Sequence, residues 1–321
     1  MRAKGGPRTT FTAAVVVLLA AACANGNEGS GQVSRTSVPQ FDAEAAHALL
    51  RRQVEFGPRV PGSEGHAAQL AWMTEYLGTR ADTMWVQSFE QELDNGETLE
   101  LHNVFARFRA DDPARVLLLA HWDTRPTSDE EVDEEQRLLP IPGANDGGSG
   151  VAVLLQLAEM FANNPPPVGV DILLTDGEDF STEPGDYSNM YLGADYFARN
   201  KPEGYAPLYG ILVDLVGDQN PRFEMEGYSV QYAPEVVERV WRTAADIGYG
   251  NIFVRVNGMS ILDDHVPLNA RGGIRTINII DMDYGPNNAY WHTQRDVVEN
   301  TSPRGLEAVG QVLATLIYKG G

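Results

Sequence analysis

"VGVDILLTDGEDF", residues 168–180, runs from an apolar stretch straight into three acidic residues, two of them adjacent. The apolar part, 168–174, is short and continuous, the pattern of a strand buried on both faces of a parallel sheet. Asp176, Glu178 and Asp179 then crowd negative charge at the strand's end. Such crowding is costly unless something positive sits among the carboxylates. This raises two questions: which sheet the strand belongs to, and what cation its end faces.

Outward from this strand the chain alternates. Residues 115–121, 209–217 and 274–280 read as further buried strands, and 150–162, 191–200, 234–248 and 303–318 as helices between and after them. On the N-terminal side, residues 43–57 have helical spacing at Ala46, Leu49, Leu50 and Val54, and Ser63 is a candidate cap ahead of a helix ending at Gly78. Two strand-like segments flank "DNGE", a hairpin turn signal. Buried strands alternating with helices, without an internal repeat, predict one α/β domain: a three-layer αβα arrangement around a mostly parallel, mixed sheet.

In such sheets sites form at the carboxyl ends of the strands. The residues gathered there are His121 and Asp123, Asp146 in "PGANDGGSG", the Asp176–Glu178–Asp179 group, Asp214, then Asp263, Asp264 and His265 in "DDH", and His292 in "YWHT". Carboxylates and imidazoles in small number suit Zn²⁺ with one position left open. The glycines around Asp146 let the backbone bring that carboxylate inward. An adjacent Glu–Asp pair then has a use: one member binds metal while the other carries protons.

The order "HWDT", "GANDGGSG", "DGEDF", "YLGADYF", "LVDLVG", "DDHVPL", "YWHT" resembles that of the zinc-dependent glutaminyl cyclases and the related zinc aminopeptidases, over nearly all of residues 43–318. The upstream "FGPRVPGSEGH" is similar to the cyclase N-terminal region. The resemblance implies a zinc-exopeptidase-like fold, with Asp146, Asp179 and His292 as zinc ligands and Glu178 as general acid/base. It also implies Asp214 and Asp263 as a hydrogen-bonded carboxylate pair and Trp291 as a pocket wall. Asp179 departs from the pattern, since many relatives carry Glu there. A cyclase would convert N-terminal glutamine to pyroglutamate with one zinc. An aminopeptidase would use two, the second held by His121 and Asp214, with Asp146 bridging. Trp291 directly before His292, the doubled acid in "DDHVPL" and "FGPRVPGS" favour the cyclase. A third reading is a lipoprotein of the same fold that only binds peptides. His121 is equally readable as a histidine bonded to Asp214 without metal, oriented by Asp123. Asp176 reads as a supporting acceptor, His66 and His47 carry no functional assignment, residues 129–136 read as a solvated acidic loop, and 183–190 as a loop over the metal mouth.

Composition limits the partners. Of 321 residues 45 are acidic and 24 basic, a net charge of −21, which argues against nucleic acid or anionic lipid surfaces. The expected partners are peptide or protein N-termini. Residues 1–22, basic then apolar then small, read as an export signal. Cys23, the only cysteine, sits where the lipobox of bacterial lipoproteins places the lipidated residue, although Ala20 stands where Leu is usual. The expectation is a protein of the bacterial cell envelope, anchored through Cys23, or on a plain secretory reading secreted or periplasmic. Residues 24–40, rich in Gly, Ser and Asn, read as a flexible tether, and 41–321 as the catalytic domain.

Overall fold

The computed structural model describes residues 37–320 apart from 94 and 182–187, together with residues 5–7, 9 and 10. Most of the export signal, Cys23, most of the tether and residues 183–187 of the expected mouth loop lie outside the described residues. In chain order the elements are α1 Ala43–Val54, α2 Glu64–Gly78, β1 Thr83–Glu92, β2 Thr98–Phe108, β3 Arg115–His121, α3 Glu134–Arg137, α4 Gly148–Asn163, β4 Gly169–Thr175 and α5 Leu192–Asn200. Next come β5 Tyr209–Asp214, β6 Phe223–Met225, α6 Gly227–Tyr232, α7 Pro234–Asp246, β7 Phe253–Asn257, α8 His265–Ala270, β8 Thr276–Ile280 and α9 Pro303–Tyr318.

The main sheet has the order β1-β2-β4-β3-β5-β8. β1, β2 and β4 pair antiparallel, whereas β4, β3, β5 and β8 run parallel, so the sheet is mixed and mostly parallel where it is central. Every residue of β3, β4 and β5 is buried, as their unbroken apolar runs require. Alternate side chains face opposite layers. Val116, Leu118 and Ala120 join the core under α1, α4 and α9, while Leu117 and Leu119 join Phe197 of α5 and Leu268 of α8. The hairpin forms where "DNGE" placed it, with Leu93 N donating to Glu97 O at 2.8 Å and Gly96 at φ +84°. Ser63 caps α2 through His66 N, as its sequence position suggested. Among the described residues no helix is long and apolar enough to cross a membrane.

One close approach fixes the seat of α4. A Cβ on Gly150 would stand 2.1 Å from Val213 O and 3.0 Å from Ala120 Cβ, so the helix lies directly on β5 and β3. Gly150→Ala is therefore expected to destabilise the fold by about 1–3 kcal/mol through overpacking. Urea unfolding of the two proteins side by side reads this, and an unchanged midpoint would contradict it.

β3 lies at the point where the parallel strands diverge, β4 to one side and β5 to the other. His121 and Thr175 end their strands side by side, as do Asp214 and Ile280. This is the position at which open α/β sheets build sites.

Candidate metal centre

Each of the site's carboxylates is delivered by a strand end or a braced loop. Asp214 ends β5, and the next residue, Leu215, adopts φ 49°, turning its amide back onto Asp214 Oδ1 at 2.8 Å. Asp146 sits just ahead of α4, where Asp296 accepts from Asn145 N at 2.7 Å and from Asp146 N at 3.2 Å. The turn after β4 passes through Gly177 at φ +68°. Its next two amides donate to Asp123: Glu178 N at 3.1 Å and Asp179 N at 3.2 Å. Asp176 accepts from His66 Nε2 at 3.0 Å and from His102 N at 2.7 Å. His292 itself adopts φ 51°.

These braces bring two overlapping donor sets together, Asp146–Asp179–His292 and His121–Asp146–Asp214, the donor atoms of each lying within 4.8 Å of one another. Asp146 belongs to both: its Oδ1 faces His121 Nε2 at 3.2 Å and its Oδ2 faces His292 Nε2 at 3.5 Å. His292 Nε2 stands 3.7 Å from Asp179 Oδ2. Ligands on a zinc tetrahedron with bonds near 2.1 Å are separated by about 3.4 Å, so the first set is spaced for an ion rather than for mutual hydrogen bonds. Asp179 Oδ2 is buried and has no hydrogen-bond partner. A buried carboxylate oxygen left so is costly without a cation, and the donor set therefore fits zinc.

The electrostatics of the cluster suit a cation. Burial, together with Asp146, pushes Asp179 up to about 6 against the pull of His292 and Arg125. Burial, with Asp123 and Asp214 beside it, takes Asp264 to about 7. Glu178 is driven well above the ordinary carboxylate range by burial and by Asp179, Asp263 and Asp264. Burial also raises Asp263, with Asp214 and Asp264 adding to it. A divalent cation relieves such a cluster. His121 titrates well above its usual value: burial opposes this, but Asp123, Asp146 and Asp214 outweigh it.

The remaining residues expected from the sequence divide between the centre and its surroundings. His121 Nδ1 faces Asp123 Oδ1 at 3.5 Å and Glu178 Oε2 at 3.9 Å, and its Nε2 hydrogen-bonds Asp214 Oδ1 at 3.2 Å. Asp263 accepts from Asn278 Nδ2 and Asp264 N, both at 2.6 Å. His265 opens α8 and bonds Glu226 Oε2 at 3.1 Å, away from the donor sets. Trp291 stacks on His292 with 3.8 Å between ring centroids. A cavity of about 460 Å³ opens over Asp146, Glu178, Asp179 and His292 and is walled by Tyr191 and Trp291.

Three residues to which sequence reasoning gave no role belong here. Arg125, almost fully buried, pairs with Asp179 Oδ1 and with Asp129 at 2.8 Å, and Asp129 Oδ1 reaches His292 Nδ1 at 3.1 Å. Although burial opposes it, His292 and Arg125 hold Asp129 down near 2. Read from sequence, residues 129–136 form a solvated acidic loop. Residues 132–136 are exposed, but Asp129 turns inward because Arg125, four residues earlier in sequence, draws it down. His66, given no role from sequence, is buried, stacks on Trp122 at 4.2 Å and anchors Asp176.

A mostly parallel mixed sheet whose strand ends gather two overlapping His/carboxylate sets defines a zinc-exopeptidase-like α/β protein. The chain belongs to Peptidase family M28, whose model matches residues 103–317. A solved Zn-dependent exopeptidase from Parabacteroides distasonis ATCC 8503 is 38% identical, covers 88% of this chain and 99% of its own, and superposes with a TM-score of 0.84. A glutaminyl cyclase of Bacteroides thetaiotaomicron, solved with N-acetylhistamine bound, is 37% identical over 89% of this chain and 100% of its own, with a TM-score of 0.84. A probable zinc metalloprotease of Pyricularia oryzae is 27% identical over 86% of this chain and 64% of its own length. The chain spans less than two thirds of the length of the curated relatives it matches.

Proposed function

We propose that this protein is a glutaminyl-peptide cyclotransferase that converts N-terminal glutamine of peptides to pyroglutamate and releases ammonia. The observation carrying this reading is the inequality of the two donor sets. His121 Nε2 hydrogen-bonds Asp214 Oδ1, so one proton closes the second set. In the first, Asp179 Oδ2 has no partner. That asymmetry supports a single zinc held by Asp146, Asp179 and His292. Cyclisation consumes no water and needs only one metal. The similar glutaminyl cyclase, matched along its whole length, supports the same choice.

Zinc bound there would supply the Lewis acid that withdraws electron density from the substrate's γ-carbonyl. The chain's own residues do the rest. Glu178, in the cavity wall, is made more basic than an ordinary carboxylate by burial and neighbouring carboxylates, as a proton carrier requires. It takes a proton from the substrate α-amine, whose nitrogen forms a bond to the side-chain carbonyl carbon. It returns that proton to the amide nitrogen, the bond from that nitrogen to the same carbonyl carbon breaks, and ammonia leaves. Asp263 and Asp214 extend the carboxylate cluster beside it, and Trp291 bounds the pocket. Arg125 and Asp129 orient Asp179 and His292.

One observation favours a second reading, a two-zinc aminopeptidase: Asp146 presents a different oxygen to each histidine, as a bridging ligand would. Zinc titration into chelator-stripped protein separates the two. On a glutamine-starting peptide, ammonia release is expected to plateau at one zinc per chain. A plateau at two, or leucine release that appears with the second ion, would favour the peptidase.

The same reading extends to the chain's organisation. Residues 1–22 act as export signal, Cys23 carries the lipid anchor at the cell envelope, 24–40 form the tether, and 41–321 the catalytic domain. The signal's residue order and the position of Cys23 support this.

A further inference from the structure

A second cavity of about 300 Å³ adjoins the metal-centre cavity, and Met259, Ile261, Ile280 and Met282 border both. Met259 is 66% exposed, and Val256 and Leu262, close to it in the chain, are also large exposed apolar side chains. Apolar side chains gathered at a cavity mouth mark a surface that a ligand covers, and thioethers adapt to varied shapes. The far side of this second cavity is charged. Arg222 there is already paired with Glu224. Asp281 and the exposed Asp283 have no cationic side chain among the residues lining that cavity apart from Arg222. A third depression, of about 320 Å³, continues past the same three residues to Asp218. Burial and the charges of Asp218 and Asp283 push Asp281 up to about 6, a sign of crowded negative charge.

A peptide engaged by its N-terminal residue must lead its remaining residues out of the metal-centre cavity. We propose that this outgoing chain crosses Met259, Ile261 and Met282 into the second cavity, where Asp283, with Asp281 behind it, selects substrates carrying a basic residue among the second to fourth positions. The inference rests on the cyclotransferase reading and adds to it a substrate class: glutamine-starting peptides with a nearby Lys or Arg. The apolar crossing supplies sequence-tolerant contact, and the acidic end supplies the discrimination.

The test compares glutamine-starting peptides identical except for Lys, Ala or Glu placed in turn at the second, third and fourth positions. At one or more of these positions, kcat/KM is expected to rank Lys above Ala above Glu, with about fivefold between neighbours, carried by KM. Asp283→Lys is expected to erase or invert the ranking. A Glu90→Gln/Glu92→Gln protein, altered on β1 at the opposite edge of the sheet, is expected to retain it. A flat series with the Ala peptide still turned over, or equal loss of ranking in both variants, would overturn this inference and leave the cyclotransferase reading standing. No turnover of any peptide by the zinc-loaded protein would overturn both.

Discussion

Replacing Glu178 with glutamine is expected to lower kcat on a glutamine-starting peptide by about 10²–10⁴-fold, the usual range for loss of a positioned acid/base. Glu178 stands outside both donor sets, so the variant should bind zinc as the parent does. Its backbone amide is held by Asp123 whatever its side chain, so the turn keeps its shape. KM is expected to change little, because the amide side chain still fills the same wall. Turnover and zinc content of the same preparation give the answer together. A kcat within a few-fold of the parent at equal zinc content would remove Glu178 from the mechanism.

Asp171→Ala is expected to be the most damaging single change to the fold. Asp171 lies fully buried on β4 and accepts from Arg115 Nη2 at 2.6 Å, Arg115 Nε at 2.9 Å, Arg107 Nε at 3.2 Å and Tyr205 OH at 2.9 Å. Arg115 has only 5% of its side chain exposed, so removing the carboxylate leaves a guanidinium charge buried beside β3 without its counter-ion. Breaking such a pair from one side costs about 3–5 kcal/mol. The comparison is Glu55→Ala, which removes the exposed Arg52–Glu55 pair and should cost about 0.5 kcal/mol or less. Denaturant unfolding of the two variants at neutral pH is expected to separate them clearly. Equal, small losses would mean that Asp171 contributes no more than a surface charge.

Much of this architecture was legible in the chain, for identifiable reasons. β3 and β4 announce themselves because strands covered on both faces carry unbroken apolar runs. α9 matches its sequence bounds because Ser302 caps it and Pro303 sits where a missing N–H does no harm. β6 and β7, of three and five residues, and α6, of six, escaped notice, since segments that short carry no periodicity to read. The site divides the same way. Asp146, Asp179, Asp214 and His121 were visible because parallel strands deliver their carboxyl-end residues to one edge of the sheet. The pairings of Arg125 with Asp179 and of Asp129 with His292 join residues remote in sequence, and no spacing rule encodes them. Asp171 was hidden for the opposite reason: a single charge inside an apolar run looks like an interruption until Arg115 is seen across the sheet.

The most direct test of the cyclotransferase reading is mass spectrometry on two incubations of the zinc-loaded protein, one with a peptide beginning in glutamine and one beginning in leucine. The expected result is loss of ammonia from the first and an unchanged second. Free leucine released from the second, with the first intact or shortened by hydrolysis, would contradict it and place a second metal at His121 and Asp214.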